Sequence, residues 1–296
     1  PYIVYNRHLR YKMIGLALLL SAIGHACWDN ILVWLLHNDP DASLVHMLWF
    51  WMSIIAIFLG MVTKAQHITL THTIGWWLKF SIIGWVLPSI MYSISVLWTG
   101  YRVTVSFQPF IPLFVALRIG APFDIQRCSA LIVCMLGTIF IWSGVSWKQD
   151  LWMVWIAFLS SIIHVVCITE WFVMLSNIER EHIAHIARGV FIGVIIMFGG
   201  MIIWNPQHLA AAYIYKIDAW FAIVIAGGTC VACKYWVIAR LSTVMSADAI
   251  AVFECVHPIA TLLADIIRRD DIFEWQDAAA ISLYLIGWIL YPKTNI

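Results

Sequence analysis

The stretch DLWMVWIAFLSSIIHVVCITEWFVMLS, residues 150–176, decides the fold class. It is longer than the roughly 20 residues that carry an α-helix across a bilayer. Apart from Asp150 at its start it holds one carboxylate, Glu170, two turns from its end. Nine more apolar stretches surround it, at about 12–36, 42–63, 74–97, 103–119, 125–145, 182–204, 217–240, 246–267 and 274–292. Short polar or Pro/Gly breaks separate them, among them His37-Asn38-Asp39-Pro40-Asp41 and Asn205-Pro206-Gln207. The runs are unbroken and do not alternate with period two, which argues for helices and against a membrane β-barrel.

Composition agrees with that reading. Of 296 residues, 63% are apolar and 11% charged, where soluble proteins hold about 45–50% and about 25%. Mean hydropathy is +0.89. Ten spans of about 20 residues leave about 96 for connections and tails, too few for a soluble domain. The expected fold is an all-α polytopic membrane protein of ten transmembrane helices, with any chemistry inside the bilayer or at its edges. Lys and Arg number 17 against 16 Asp and Glu, so there is no basic field for nucleic acid. The partners left are the bilayer itself and small molecules; the sequence does not set an oligomeric state.

The first span has no small-residue cleavage site and carries His25, Asp29 and Asn30 in its core, so it reads as a retained helix. With the N-terminus cytoplasmic, ten loop Lys and Arg fall inside and five outside. That distribution favours both termini in the cytoplasm. All seven cysteines lie within spans or at their edges, which leaves no extracellular disulfide framework. Cys230 and Cys233 form a C-x-x-C on one helix, read as packing, and Gly189 and Gly193 form a G-x-x-x-G that permits close helix approach. The fourth span is short and holds Pro109 and Pro112; Pro88 and Pro258 interrupt the third and ninth. A proline inside a span removes one backbone hydrogen bond and bends the helix.

Ten spans divide at about residue 148 into two five-helix repeats, 1–148 and 149–296. An odd number of spans per half inverts the second relative to the first, a layout in which secondary transporters place substrate near the midplane. Ser21–His25 can be laid on Ser160–His164. Pro109, Gly120, Gln126 and Gly137 can be laid on Pro258, Asp270, Gln276 and Gly287 with one gap, the step from Gln to Gly being eleven residues in both.

The five-plus-five layout resembles the EamA family of the drug/metabolite transporter superfamily. Residues 258–287 (Pro258, Asp270 or Asp271, Gln276, Gly287) are similar to the ending of each half in that family. His25-Ala26-Cys27-Trp28-Asp29-Asn30 looks like its His-Ala-x-Trp-Asn first-helix variant, with Asp29 inserted. Gly120 stands where the family's first half has Glu, and Gly287 is shifted. The resemblance implies a transporter in a bacterial inner membrane and does not name its cargo.

Ionisable residues within spans face the bundle interior and carry function more often than elsewhere. His25 and Asp29 stand one turn apart on one helix face, where Asp29 would favour the charged imidazole. Glu254 and His257 stand three apart on the ninth span, beside Pro258. Freed carbonyls there would sit next to a carboxylate, a proton or cation site. His164 lies deep in the sixth span, with Glu170 nearer its end. Lys234, on the eighth, either neutralises Glu254 or binds a substrate carboxylate. Gln108 suits a hydrogen-bonding contact, and Trp28 is one of several inner indoles able to cage an organic cation. The structural alternative for each is a satisfied buried pair or space-filling.

The expected substrate is a small polar or amphipathic metabolite, amino-acid-like or an organic cation. It would be bound by these residues, with Asp29, His25 or Glu254 available to carry a coupling proton. No Walker-type loop or nucleophile elbow appears, so neither an enzyme nor a cofactor is expected. The alternative is an intramembrane metal protein using His25, Asp29, His164, Cys167, Glu254 and His257, whose nitrogen, sulfur and oxygen donors suit a transition metal. A non-transporting scaffold is the third reading.

Overall fold

The computed structural model describes residues 15–16, 20, 24, 44–63, 72–122, 124–145, 150–178, 182–204, 227–242, 245–268 and 274–291. Among these, every regular element is a helix. They are α1 (Leu44–Thr63), α2 (Ile74–Thr99), α3 (Tyr101–Val105), α4 (Ile111–Arg118), α5 (Ile125–Gly144) and α6 (Leu151–Ser176). After them come α7 (His182–Trp204), α8 (Thr229–Leu241), α9 (Ala247–Ala251), α10 (Val256–Arg268) and α11 (Trp275–Leu290). Four helical stretches, Ile74–Thr99, Ile125–Gly144, Leu151–Ser176 and His182–Ile203, are long and apolar enough to cross a membrane. Their outer faces expose large apolar side chains such as Ile132, Leu159, Phe191 and Ile203, as lipid contact requires. The chain is thus a helical protein built for a membrane. Most of the expected first span and the first ten residues of the expected eighth lie outside the described residues.

The chain forms two compact units, 1–90 with 178–243 and 91–177 with 244–296. In the first, α1, the start of α2, α7 and α8 pack together. The G-x-x-x-G of α7 makes this possible. A β-carbon on Gly189 would lie 2.6 Å from the Phe80 ring, and one on Gly193 2.7 Å from Met52 Cε. Gly227 likewise receives the Trp51 ring. Within α2, a π-helical turn at Ile82–Val86 precedes Pro88, and the Leu87 N–H bonds the Ile82 carbonyl. The proline can neither donate to nor pass close by the carbonyl four residues back, and the widened turn absorbs that conflict.

The second unit contains two broken helices and two closing ones. The expected fourth span is broken into α3, a 3₁₀ turn (Gln108–Phe110) and α4. Pro109 and Pro112 lack the N–H groups that the Val105 and Gln108 carbonyls would accept. Tighter bonds replace them: Phe110 N–H reaches the Phe107 carbonyl, and Ile111 N–H reaches Gln108. The Ser106 carbonyl accepts the Thr138 hydroxyl of α5 at 2.9 Å. α4 stops at Gly120, whose φ of +69° suits a residue without a β-carbon. Ala121 N–H then bonds the Ala116 carbonyl and Gly120 N–H that of Leu117, a Schellman closure. The expected ninth span breaks in the same way into α9, a 3₁₀ turn (Val252–Cys255) and α10.

α5 and α11 begin at acidic N-caps, Asp124 and Glu274. They pack antiparallel through a reciprocal contact. A β-carbon on Gly137 would meet Tyr284 Cε1 at 3.1 Å and the Ala280 carbonyl at 3.3 Å. One on Gly287 would collide with Cys134 Sγ and lie 2.9 Å from the Ala130 carbonyl. Each glycine therefore meets the residues three and seven before the other. Cys134, Ile141, Ile259, Leu262, Ala280 and Tyr284 form the core around this crossing.

Candidate functional site

The buried polar groups of the second unit gather where the broken helices meet the end of α2 and the middle of α6. Tyr92 and Ser95 stand three apart on α2; Ser161 and His164 stand three apart on α6. Equal spacing on two helices brings both pairs into register. The Ser95 and Ser161 hydroxyls share a 2.6 Å hydrogen bond, and Thr104 of α3 donates to Ser95 at 2.8 Å. One turn away, the Tyr92 ring lies 5.3 Å from that of His164.

Tyr92 joins two further residues. Its hydroxyl shares a 3.2 Å hydrogen bond with His257 Nε2, and the two rings stack at 5.5 Å. Across the site, the Gln108 amide meets His164 Nε2 at 2.8 Å. With Gln108 Nε2 donating, His164 Nε2 accepts and its proton sits on Nδ1; Gln108 Oε1 then has no hydrogen-bond partner among the described residues. Reversing the amide leaves the NH₂ in that position instead. Gln108 is 1% exposed, so one end of its amide is desolvated without a partner, a cost the fold bears only for a reason. Glu254 is buried in the second 3₁₀ turn, which packs against the first. His257 follows three residues later.

The two broken helices match position by position. Asp248, Phe253, Glu254 and Pro258 each lie 146 residues after Arg102, Phe107, Gln108 and Pro112. Gln108 and Glu254 therefore occupy the same place, four residues before a proline and within a 3₁₀ break. This correspondence pairs Pro112, not Pro109, with Pro258 and runs without a gap through the broken helices, with four residues added before the second closing helix. The closing helices match at an offset of 150 residues, as Gln126 with Gln276 and Gly137 with Gly287.

Of the expected site residues, Gln108, His164, Glu254 and His257 belong to this one unit, with Gln108 and His164 in direct contact. Glu170 also lies in it, but bonds Arg118 at 2.7 Å in a partly exposed pair. Replacing it with Gln is expected to leave the melting temperature in detergent unchanged, because exposed pairs contribute little. Lys234 is buried in the first unit, with Nζ 5.6 Å from the Tyr235 ring centroid. His25, Trp28 and Asp29 lie outside the described residues. Sequence reasoning missed Tyr92, which joins His164 to His257. The signal available was its i, i+3 spacing to Ser95, repeated at Ser161 and His164.

No family model matches this sequence, and neither does any curated protein. A solved chain described as "Crystal structure of protein" is similar in fold, with a TM-score of 0.63 over 93% of this chain and 96% of its own. At 13% identity the likeness is one of fold alone.

Proposed function

We propose that the chain is a secondary transporter of the EamA kind, moving a small polar or amphipathic metabolite by alternating access. In this reading it is a multi-pass protein of the cell (inner) membrane with both termini cytoplasmic. The observation that carries the proposal is the pair of matched helix breaks, which pack against each other and each carry one buried polar side chain, Gln108 or Glu254; Gln108 bonds His164, which lies beside the Tyr92–His257 pair. Broken helices at corresponding places in two halves are how inverted-repeat transporters build a midplane site. The reciprocal glycine contact of α5 and α11 supports the same duplication.

Gln108, His164, Glu254 and His257 would contact substrate. A coupling proton would reside on Glu254 or on the His25–Asp29 pair. Among the described residues no three His, Cys, Asp or Glu side chains are placed to hold a metal, so metals enter the test as a comparison.

The test is the melting temperature of purified protein against amino acids, organic cations, nucleosides, sugar phosphates and divalent metals. A ligand at a hundredfold excess over Kd stabilises the folded state by about 2.7 kcal/mol. One organic class is expected to give this shift, and Glu254→Gln and Gln108→Leu are expected to lose it while Glu170→Gln keeps it. A metal shift reversed by chelator would replace the transporter with the metal reading. Uptake of the stabilising compound into proteoliposomes would then distinguish transport from binding.

A further inference from the structure

Two ion pairs join the broken helices to the closing ones, and their signs are exchanged. Arg102 and Asp248 are each the second residue of a five-residue helix, six residues before Gln108 and Glu254 respectively. Their partners, Asp277 and Arg127, are each the third residue of a closing helix. The Arg102 guanidinium approaches Asp277, with Nη1 3.5 Å from Oδ1. Arg127 meets Asp248 by two, Nε at 3.3 Å and Nη2 at 3.2 Å, and also bonds the Pro122 carbonyl and Asp124. The Tyr291 hydroxyl donates to the same Asp248 oxygen at 3.3 Å. The pairs lie at opposite ends of the unit, because α5 starts at the end where α4 finishes and α11 runs antiparallel to it.

We propose that these four are positioning residues that clasp the two ends of the candidate site. Arg127–Asp248 holds the arm bearing Glu254, and Arg102–Asp277 holds the arm bearing Gln108. The Asp248 end is fastened by a buried, multiply bonded pair, and at the other end Arg102 approaches Asp277 at 3.5 Å. This rests on the transporter reading, in which the two ends open in turn. Matched positions of opposite sign give each arm its own partner, so a clasp released at one end has no like-charged substitute at the other.

Cys255 supplies a reporter, since it follows Glu254 in the 3₁₀ turn and is buried. Full-length protein in lipid would be treated with N-ethylmaleimide and the labelling of each cysteine followed by peptide mass spectrometry. Buried Cys167, in the middle of α6, reports general loosening. Asp248→Asn and Arg127→Ala are expected to raise the Cys255 rate at least tenfold over the parent with the Cys167 rate unchanged. The exchange R127D/D248R is expected to bring it back within about threefold. Equal acceleration of Cys167, or no recovery in the exchange, would overturn the proposal in favour of plain structural glue. If the single variants do not fold, Tyr291→Phe removes one bond to Asp248 and keeps both charges. It is expected to raise the Cys255 rate a fewfold, and an unchanged rate would equally overturn the clasp. Labelling needs no ligand, so a failed clasp and a failed transporter are read separately.

Discussion

Arg127→Met is expected to lower the stability of the protein by about 3–5 kcal/mol, the range for removing one partner of a buried ion pair. Asp248 is 1% exposed, so without Arg127 its carboxylate keeps only the Tyr291 hydroxyl among the hydrogen bonds to Oδ2 described above. Asp124→Asn at the same guanidinium is expected to matter far less, because that carboxylate is nearly half exposed and its N-cap role passes to the amide oxygen. Thermal or denaturant unfolding in detergent, compared for the two variants, measures the difference. Equal effects would place the energy in the N-cap rather than in the buried pair.

Gly287→Ala is expected to destabilise by about 1–3 kcal/mol, although alanine is the better helix former. The added methyl would meet both the Cys134 thiol and the Ala130 backbone carbonyl, and a backbone carbonyl cannot swing away. Gly137→Ala should cost less, since its nearest neighbours are the Tyr284 ring and the Ala280 carbonyl at 3.1 and 3.3 Å. Gly75→Ala serves as the comparison. Nothing lies within 4 Å of its β-carbon, so the change should be neutral or stabilise by about 0.5–1 kcal/mol. A destabilised Gly75→Ala together with an unaffected Gly287→Ala would contradict the packing described for α5 and α11.

The fold class was legible because hydropathy is a sum over 20 residues, insensitive to any one of them. Residues 150–176 and 182–204 emerge as helices within a residue of their expected ends for that reason. The broken helices were legible in part: prolines announce a break, but not whether a 3₁₀ turn or a wider loop fills it. The match of Pro112 with Pro258 escaped because the pattern that secures it is carried by unlike residues, Arg102 with Asp248 and Gln108 with Glu254. Their spacing agrees while their chemistry does not. Arg102 and Arg127 read as ordinary loop cations, since sequence alone does not say that carboxylates 175 and 121 residues away are their partners. Gln108, His164, Glu254 and His257 were visible as polar groups in apolar spans. Tyr92 was hidden among many interfacial aromatics, and its role depends on helix contacts that local spacing only hints at.

The exchanged signs of the two ion pairs bear on how such a chain can be assembled from its halves. A dimer built from two copies of the first half would set Arg102 against Arg127 at both ends, and one built from two copies of the second would set Asp248 against Asp277. Both combinations oppose like charges in buried surroundings. Each half is therefore the electrostatic complement of the other and a poor partner for itself.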